Sequence, residues 1–393
     1  MGGRYKIYEL ITKRAFFQIS IVLEDLFFYR ITLMNSITHL IFLIGALILA
    51  ISLSACVSNT VNNKLEASAH YKDGEFINSE PFAKPTLGKT LAIIKRFIFE
   101  DKINTEPKQL IPVLKIEANQ FNNRVSQQTA VYRLGHSTIL MELNGKVWLT
   151  DPVFSERASP VQWAGPKRFH PTPINLGDLP NIAGIIISHD HYDHLDKNTI
   201  KRIHPKVDGF YVPLGVGQHL LDWGVPTDKI HEFDWWQEKK VGDISLINTP
   251  ANHFSGRGLT DGNSTLWSSW VIKTPQHSLF FSGDSGYFSG FKEIGDKYGP
   301  FDLTMMENGA YDESWEFVHM TPEQTLQAHQ DLKGKVMMPI HNGTFDLAFH
   351  EWTDPLERIK KLAFENQQTL TTPQIGERWS IDDAAPQTSW WRI

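Results

Sequence analysis

Apolar and polar positions along the chain fall into three regimes. The first is an unbroken apolar run from Leu40 to Leu53 (LIFLIGALILAISL), closed by Ser54, Ala55 and Cys56. Its length is short for a membrane span and suits the core of a signal peptide. The second regime, residues 57–125, scatters Asn, Lys, Pro and Ser around one apolar patch at Leu91–Phe99. That pattern predicts an N-terminal arm with one short helix. The third, residues 126–393, is rich in short β-type runs: Val131–Leu134, Thr138–Leu143, Lys146–Thr150, Gly184–Ser188, Gly209–Pro213, Ile244–Thr249, Trp267–Lys273, Ser278–Ser282 and Val336–Pro339. Asn144-Gly145 supplies a two-residue hairpin turn between two of them. Helical patterns fall at Asp196–His204, Val216–Trp223, Pro322–Leu332 and Pro355–Phe364. Strands alternating with helices predict a layered α/β fold.

Composition adds little to that picture except by exclusion. With 41% hydrophobic and 21% charged residues the chain can bury a sizeable core. A net charge of -6 and the lack of a Lys/Arg block argue against nucleic acid as a partner. The single Cys rules out an internal disulfide and leaves any metal site to His, Asp and Glu. There are 16 His, and their clustering carries the chemistry.

Directly after the GIIIS strand the chain reads Ser188-His189-Asp190-His191-Tyr192-Asp193-His194-Leu195-Asp196. In extended chain, residues two apart project to one side, so His189 and His191 can grip one ion together. Asp193 and His194 follow on a turn and can face a second ion. A lone His is usually a packed or surface residue; four ligand types at one strand end are not.

This H-x-H-x-D-H pattern resembles that of the metallo-β-lactamase superfamily, a four-layer αββα sandwich, over about Val131 to Trp379. The other motifs of that family follow in order: His253 in TPANHFSGRG, Asp284 in LFFSGDSGY and His341 in VMMPIHNGTF, each after an apolar run. The resemblance implies that His189, His191 and His253 hold one ion and that Asp193, His194 and His341 hold a second. Asp284 would bridge the two, with a hydroxide shared between them as the nucleophile. Ligands without thiolate favour two zinc ions, with iron or manganese as alternatives.

LGHSTILMEL, LTDPVFSERASP, HDHYDHLD, FDWWQE, FSGDSGY and PIHNGTF are together similar to the N-acyl-phosphatidylethanolamine-hydrolysing phospholipase D group and its bacterial outer-membrane relatives. That similarity implies a phospholipid substrate and a phospholipase D reaction. The alternatives are a lactonase or soluble phosphodiesterase of the same fold and, from another class, a non-catalytic envelope lipoprotein. His319 stands where the group places a substrate-contacting His, or it caps the helix after Thr321. Asp151 either orients a ligand His or caps a turn. His136 either lines the pocket or packs in the core, and Trp235 and Trp236 are expected to pack beneath the site. His39, His70, His204, His277 and His350 read as structural or solvent-exposed.

Leu53-Ser54-Ala55-Cys56 resembles the lipobox of bacterial lipoproteins, implying cleavage before Cys56 and acyl chains on its thiol. That places the enzyme in the bacterial envelope, facing the periplasm and most naturally on the outer membrane. A plain membrane-anchoring helix is the alternative. A signal peptide from Met1 is too long, whereas one from Met34 has no Lys or Arg ahead of its apolar core. The translation start is therefore expected within the first 34 residues.

Overall fold

The apolar runs of the third regime assemble into two seven-stranded sheets. A computed structural model of the chain describes residues 64–80, 87–100, 102–123 and 128–393. The signal and lipobox segment, residues 1–56, lies outside them. The described chain opens with a small hairpin of β1 (Tyr71–Lys72) and β2 (Glu75–Phe76), then helix α1 (Leu87–Phe99). Arg96 of α1 ties it to the main body through an ion pair with Asp312 at 2.7 Å.

The first sheet begins with β3 (Thr129–Gly135), β4 (Thr138–Leu143) and β5 (Lys146–Thr150), an antiparallel meander. It continues with β6 (Ile182–Ile186), β7 (Phe210–Pro213) and β8 (Ile230–Phe233), all parallel to β5. Helices α2 (Lys197–Ile203) and α3 (Val216–Asp222) connect these parallel strands. The second sheet repeats the progression. Its antiparallel part is β9 (Glu238–Val241), β10 (Ile244–Thr249), β11 (Ser269–Lys273) and β12 (Ser278–Phe281). Its parallel part adds β13 (Phe301–Glu307), β14 (Gly334–Ile340) and β15 (Thr369–Leu370) to β12. The crossovers carry α4 (Gly290–Tyr298), α5 (Pro322–Asp331) and α6 (Asp354–Glu365). Last, β16 (Arg378–Ser380) returns to pair with β3 in the first sheet.

Successive strand residues point to opposite faces, and the two faces bury different cores. Val131, Met141, Trp148, Ile186, Trp270, Phe281, Met305 and Met338 fill the space between the sheets. Their neighbours Tyr132, Leu140, Leu149 and Ile185 face outward onto Ile200, Ile203 and Leu220 of α2 and α3. On the far side, Val271, Phe280, Met306 and Met337 pack against Phe291, Ile294, Leu326 and Ile359 of α4, α5 and α6. The layers are thus helix, sheet, sheet, helix, as the resemblance implied. Residues Leu65–Ile393 form one compact unit. Among the described residues no helix is long and apolar enough to cross a membrane.

Candidate metal centre

Strand ends supply the chemistry. Beyond the C-terminal end of β6, Ser188–His194 leaves the sheet in a turn, with His194 N–H donating to the His191 carbonyl at 3.0 Å. Ala251–His253 follows β10, Asp284 follows β12 and His341 follows β14, so both sheets contribute. Gly283 allows the close approach: its φ is +57°, and a Cβ there would lie 2.4 Å from the Cβ of Ser188.

The side chains gather in two groups with a carboxylate between them. In the first, His189 Nε2 lies 2.9 Å from His191 Nδ1. His253 Nε2 lies 3.3 Å from the same atom. In the second, Asp193 Oδ2 is 2.9 Å from His136 Nε2, 3.2 Å from His341 Nε2 and 3.4 Å from His194 Nε2. Asp284 spans the gap: its carboxylate lies 3.1 Å from His194 Nε2 and 3.0 Å from His341 Nε2. It also lies 3.8 Å from His253 Nε2 and 3.9 Å from His189 Nε2.

These donors fit divalent cations. Burial holds His189, His191 and His253 below the ordinary imidazole range, so three neutral rings converge. Nitrogen atoms facing one another at such separations need a proton or a cation between them. In the second group burial would lower His194, but the Asp284, Asp193 and Asp151 carboxylates drive it well upward. His341 is likewise pushed up to about 10, Asp284 outweighing its burial. Burial works against Asp193 and Asp284 as well, yet the neighbouring imidazoles hold both carboxyls far below their usual value. A divalent cation would take the place of those protons. His194 Nε2 and Asp284 Oδ1 are buried and make no hydrogen bond, as free ligand atoms would.

The outer nitrogens are held in turn. Asp151, fully buried, accepts from Ser188 N–H at 2.7 Å and stands 2.6 Å from His194 Nδ1. It therefore orients a ring of the cluster. His253 Nδ1–H donates to the Val318 carbonyl at 2.9 Å. His136 does not pack in the core away from the site: it touches Asp193, and its ring sits 4.0 Å from that of His341. His319 lies on the rim, its ring 5.2 Å from His253 and 5.4 Å from His341. The cap of α5 is supplied by Thr321 and Gln324 instead. Glu307, at the end of β13, is a residue that sequence reasoning missed. It is fully buried, accepts from Ser285 N–H at 2.7 Å and contacts His319 Nδ1. Its one signal was a carboxylate closing the run Phe301–Glu307 (FDLTMME).

Trp235 is packed, its Nε1–H donating to the Trp267 carbonyl at 2.8 Å, and Trp236 lies against Tyr298 and Lys297. His70 packs on Trp235, His277 bridges Thr129 and Asp382, and His350 stacks on Tyr311. His39 lies outside the described residues.

A β-lactamase superfamily domain matches residues 147–342. An uncharacterised protein of Mycobacterium tuberculosis is 41% identical over 335 residues, covering 84% of this chain and 88% of that one. The N-acyl-phosphatidylethanolamine-hydrolysing phospholipase D 1 of Caenorhabditis elegans is 32% identical over 352 residues, covering 83% of this chain and 98% of that protein. The outer membrane protein RomA of Klebsiella pneumoniae is 53% identical over 94 residues, 24% of this chain and 70% of that one. Among solved structures, a metallo hydrolase of Ignicoccus hospitalis superposes with a TM-score of 0.51 at 20% identity. That match covers 65% of this chain and all of the other, and it shows the fold alone. The chain is a metal-dependent hydrolase of the metallo-β-lactamase superfamily, homologous to N-acyl-phosphatidylethanolamine-hydrolysing phospholipases D.

Proposed function

We propose that the protein hydrolyses the phosphodiester of an N-acyl-phosphatidylethanolamine-like phospholipid, releasing a phosphatidic acid and an N-acylethanolamine. The observation that carries the chemistry is Asp284 set between two imidazole groups. The C. elegans relative, matched over nearly its whole length, supports the choice of substrate. His189, His191 and His253 would hold one divalent ion, and Asp193, His194 and His341 a second, with Asp284 reaching both. Zinc suits this set of nitrogens and carboxylates without thiolate. When bound, such ions acidify water and draw charge from the attacked phosphoryl group. Asp193 and Asp284 balance their charge, while Asp151 and the Val318 carbonyl keep His194 and His253 aimed inward. His136, beside Asp193, steadies that carboxylate. His319, on the rim and backed by Glu307, contacts the substrate.

Asp284→Asn keeps the side-chain size and removes the charge shared by the two groups. Turnover of N-acyl-phosphatidylethanolamine in mixed micelles, at matched metal loading, should fall by roughly 10²–10³-fold. Undiminished turnover would sink the mechanism. A wild type that opens lactones and cleaves no phosphodiester would sink the substrate class instead. Leu53-Ser54-Ala55-Cys56 and the RomA similarity support a lipid-anchored enzyme on the envelope surface. Two or more acyl chains on Cys56 would give stable anchoring. In a bacterial host the wild type should incorporate labelled fatty acid and Cys56→Ser should not; an unlabelled wild type refutes the lipid anchor and favours a plain membrane-anchoring helix.

A further inference from the structure

The N-terminal arm reaches the metal centre through one side chain. Asn78 follows the hairpin of β1 and β2, and its amide reads both backbone groups of His253. Its Oδ1 accepts from His253 N–H at 3.1 Å, and its Nδ2–H donates to the His253 carbonyl at 2.8 Å. The same Oδ1 accepts from Trp267 Nε1–H at 2.7 Å, which fixes the amide's orientation. Among the described residues no other hydrogen bond to the N–H or C=O of His253 is made. His253 itself is fully buried, so either group left unmade would stand unsatisfied in the interior.

The hairpin is anchored beside the same loop. Phe76, fully buried, donates its N–H to the Asn263 carbonyl at 2.8 Å, and Asn263 N–H donates to the Ser255 carbonyl at 2.9 Å. From the other side, the segment before α5 holds the ring through Val318 and the preceding residue through Phe317, whose carbonyl accepts from Asn252 Nδ2–H at 3.1 Å. His253 is thus gripped by its ring from one side and by its peptide from the other.

We propose that Asn78 is a positioning residue for the metal centre: it holds the backbone of His253 so that Nε2 stays aimed at His189 and His191. The N-terminal arm then forms part of the site and is more than a tether to the segment before it. This rests on the reading that the three histidines hold an ion. Asn78→Ala removes both hydrogen bonds. Asn78→Asp keeps the acceptor for His253 N–H and Trp267 but sets a carboxylate oxygen against the His253 carbonyl. Glu80→Ala serves as the control, since Glu80 binds Ser289 N–H at 3.0 Å and not His253.

The full chain, wild type and variants, is loaded with zinc alone, checked for fold by circular dichroism, and challenged with a coloured chelator. Two ions held by different ligands leave in two phases. In Asn78→Ala and Asn78→Asp one phase should quicken by about 10–100-fold while the other keeps its wild-type rate. Glu80→Ala should leave both unchanged. Folded Asn78 variants with both phases at the wild-type rate overturn the proposal, as does equal acceleration by Glu80→Ala. If Asn78→Ala fails to fold, Asn78→Asp carries the comparison. A wild type that holds no zinc brings down the metal reading and this proposal together.

Discussion

Asp151 shows how a buried carboxylate governs the orientation of a ring in the cluster. With Ser188 N–H donating to it, it faces His194 Nδ1 and leaves Nε2 as the inward atom. Its backbone φ is +34°, toward the left-handed region that Asp and Asn tolerate better than other side chains. Asp151→Asn therefore keeps shape and backbone while removing the charge. Affinity for one of two zinc ions should drop by about 10–100-fold, with the other untouched. A two-step calorimetric titration reads both constants, and two wild-type values would refute the role. At this scale, the motif from His189 to His194 was legible because its ligand types stand within one short loop. His253, Asp284 and His341 were legible because the words around them resemble the motifs of the metallo-β-lactamase superfamily, each after an apolar run. Asp151 and His136 were left between two readings that only packing could separate. Asn78 and Glu307 were not legible: nothing local marks an amide as the partner of a peptide 175 residues away.

Elements were readable where the apolar run is unbroken in the local sequence. β4, β5 and β10 appear with the ends that the apolar runs predicted, and β3 and β14 extend one or two residues beyond theirs at each end. β9 was missed because Glu238–Val241 reads EKKV, an edge strand whose charge discourages further pairing. β8 was missed for a related reason: Ile230–Phe233 (IHEF) closes the opposite end of the first sheet and is only partly buried. β13 is interrupted by Asp302, and β16 pairs with a strand far away in sequence, which no local pattern discloses. α4 carries two glycines, Gly290 and Gly295, and so scores poorly as a helix. Gly295 is there for contact: a Cβ would lie 2.0 Å from the Asp331 carbonyl oxygen at the end of α5.

For the whole molecule, the sequence predicted the arm as one short helix leading to the main domain, and α1 takes up the predicted patch Leu91–Phe99. In the structure Phe76, Asn78 and Arg96 each hold it against the later chain. The two sheets share a buried core along their length, but at the end where the strands leave, the contributions change character. There the first sheet offers His136, His189, His191, Asp193 and His194, and the second offers His253, Asp284 and His341. Mechanically, ions bound between them would act as a clasp across one open end of a sandwich. Such a clasp would resist shear between the sheets without adding to the pairing inside either. Ligand held at 100–1,000 times its dissociation constant stabilises the native state by about 2.7–4.1 kcal/mol. Chelation should therefore lower the melting temperature. In hydrogen exchange the turns at 188–195, 251–255 and 341–345 should open first, while β4, β5, β11 and β12 stay protected. Uniform loss of protection across both sheets would mean that the ions support the core as a whole, and that the clasp description is wrong.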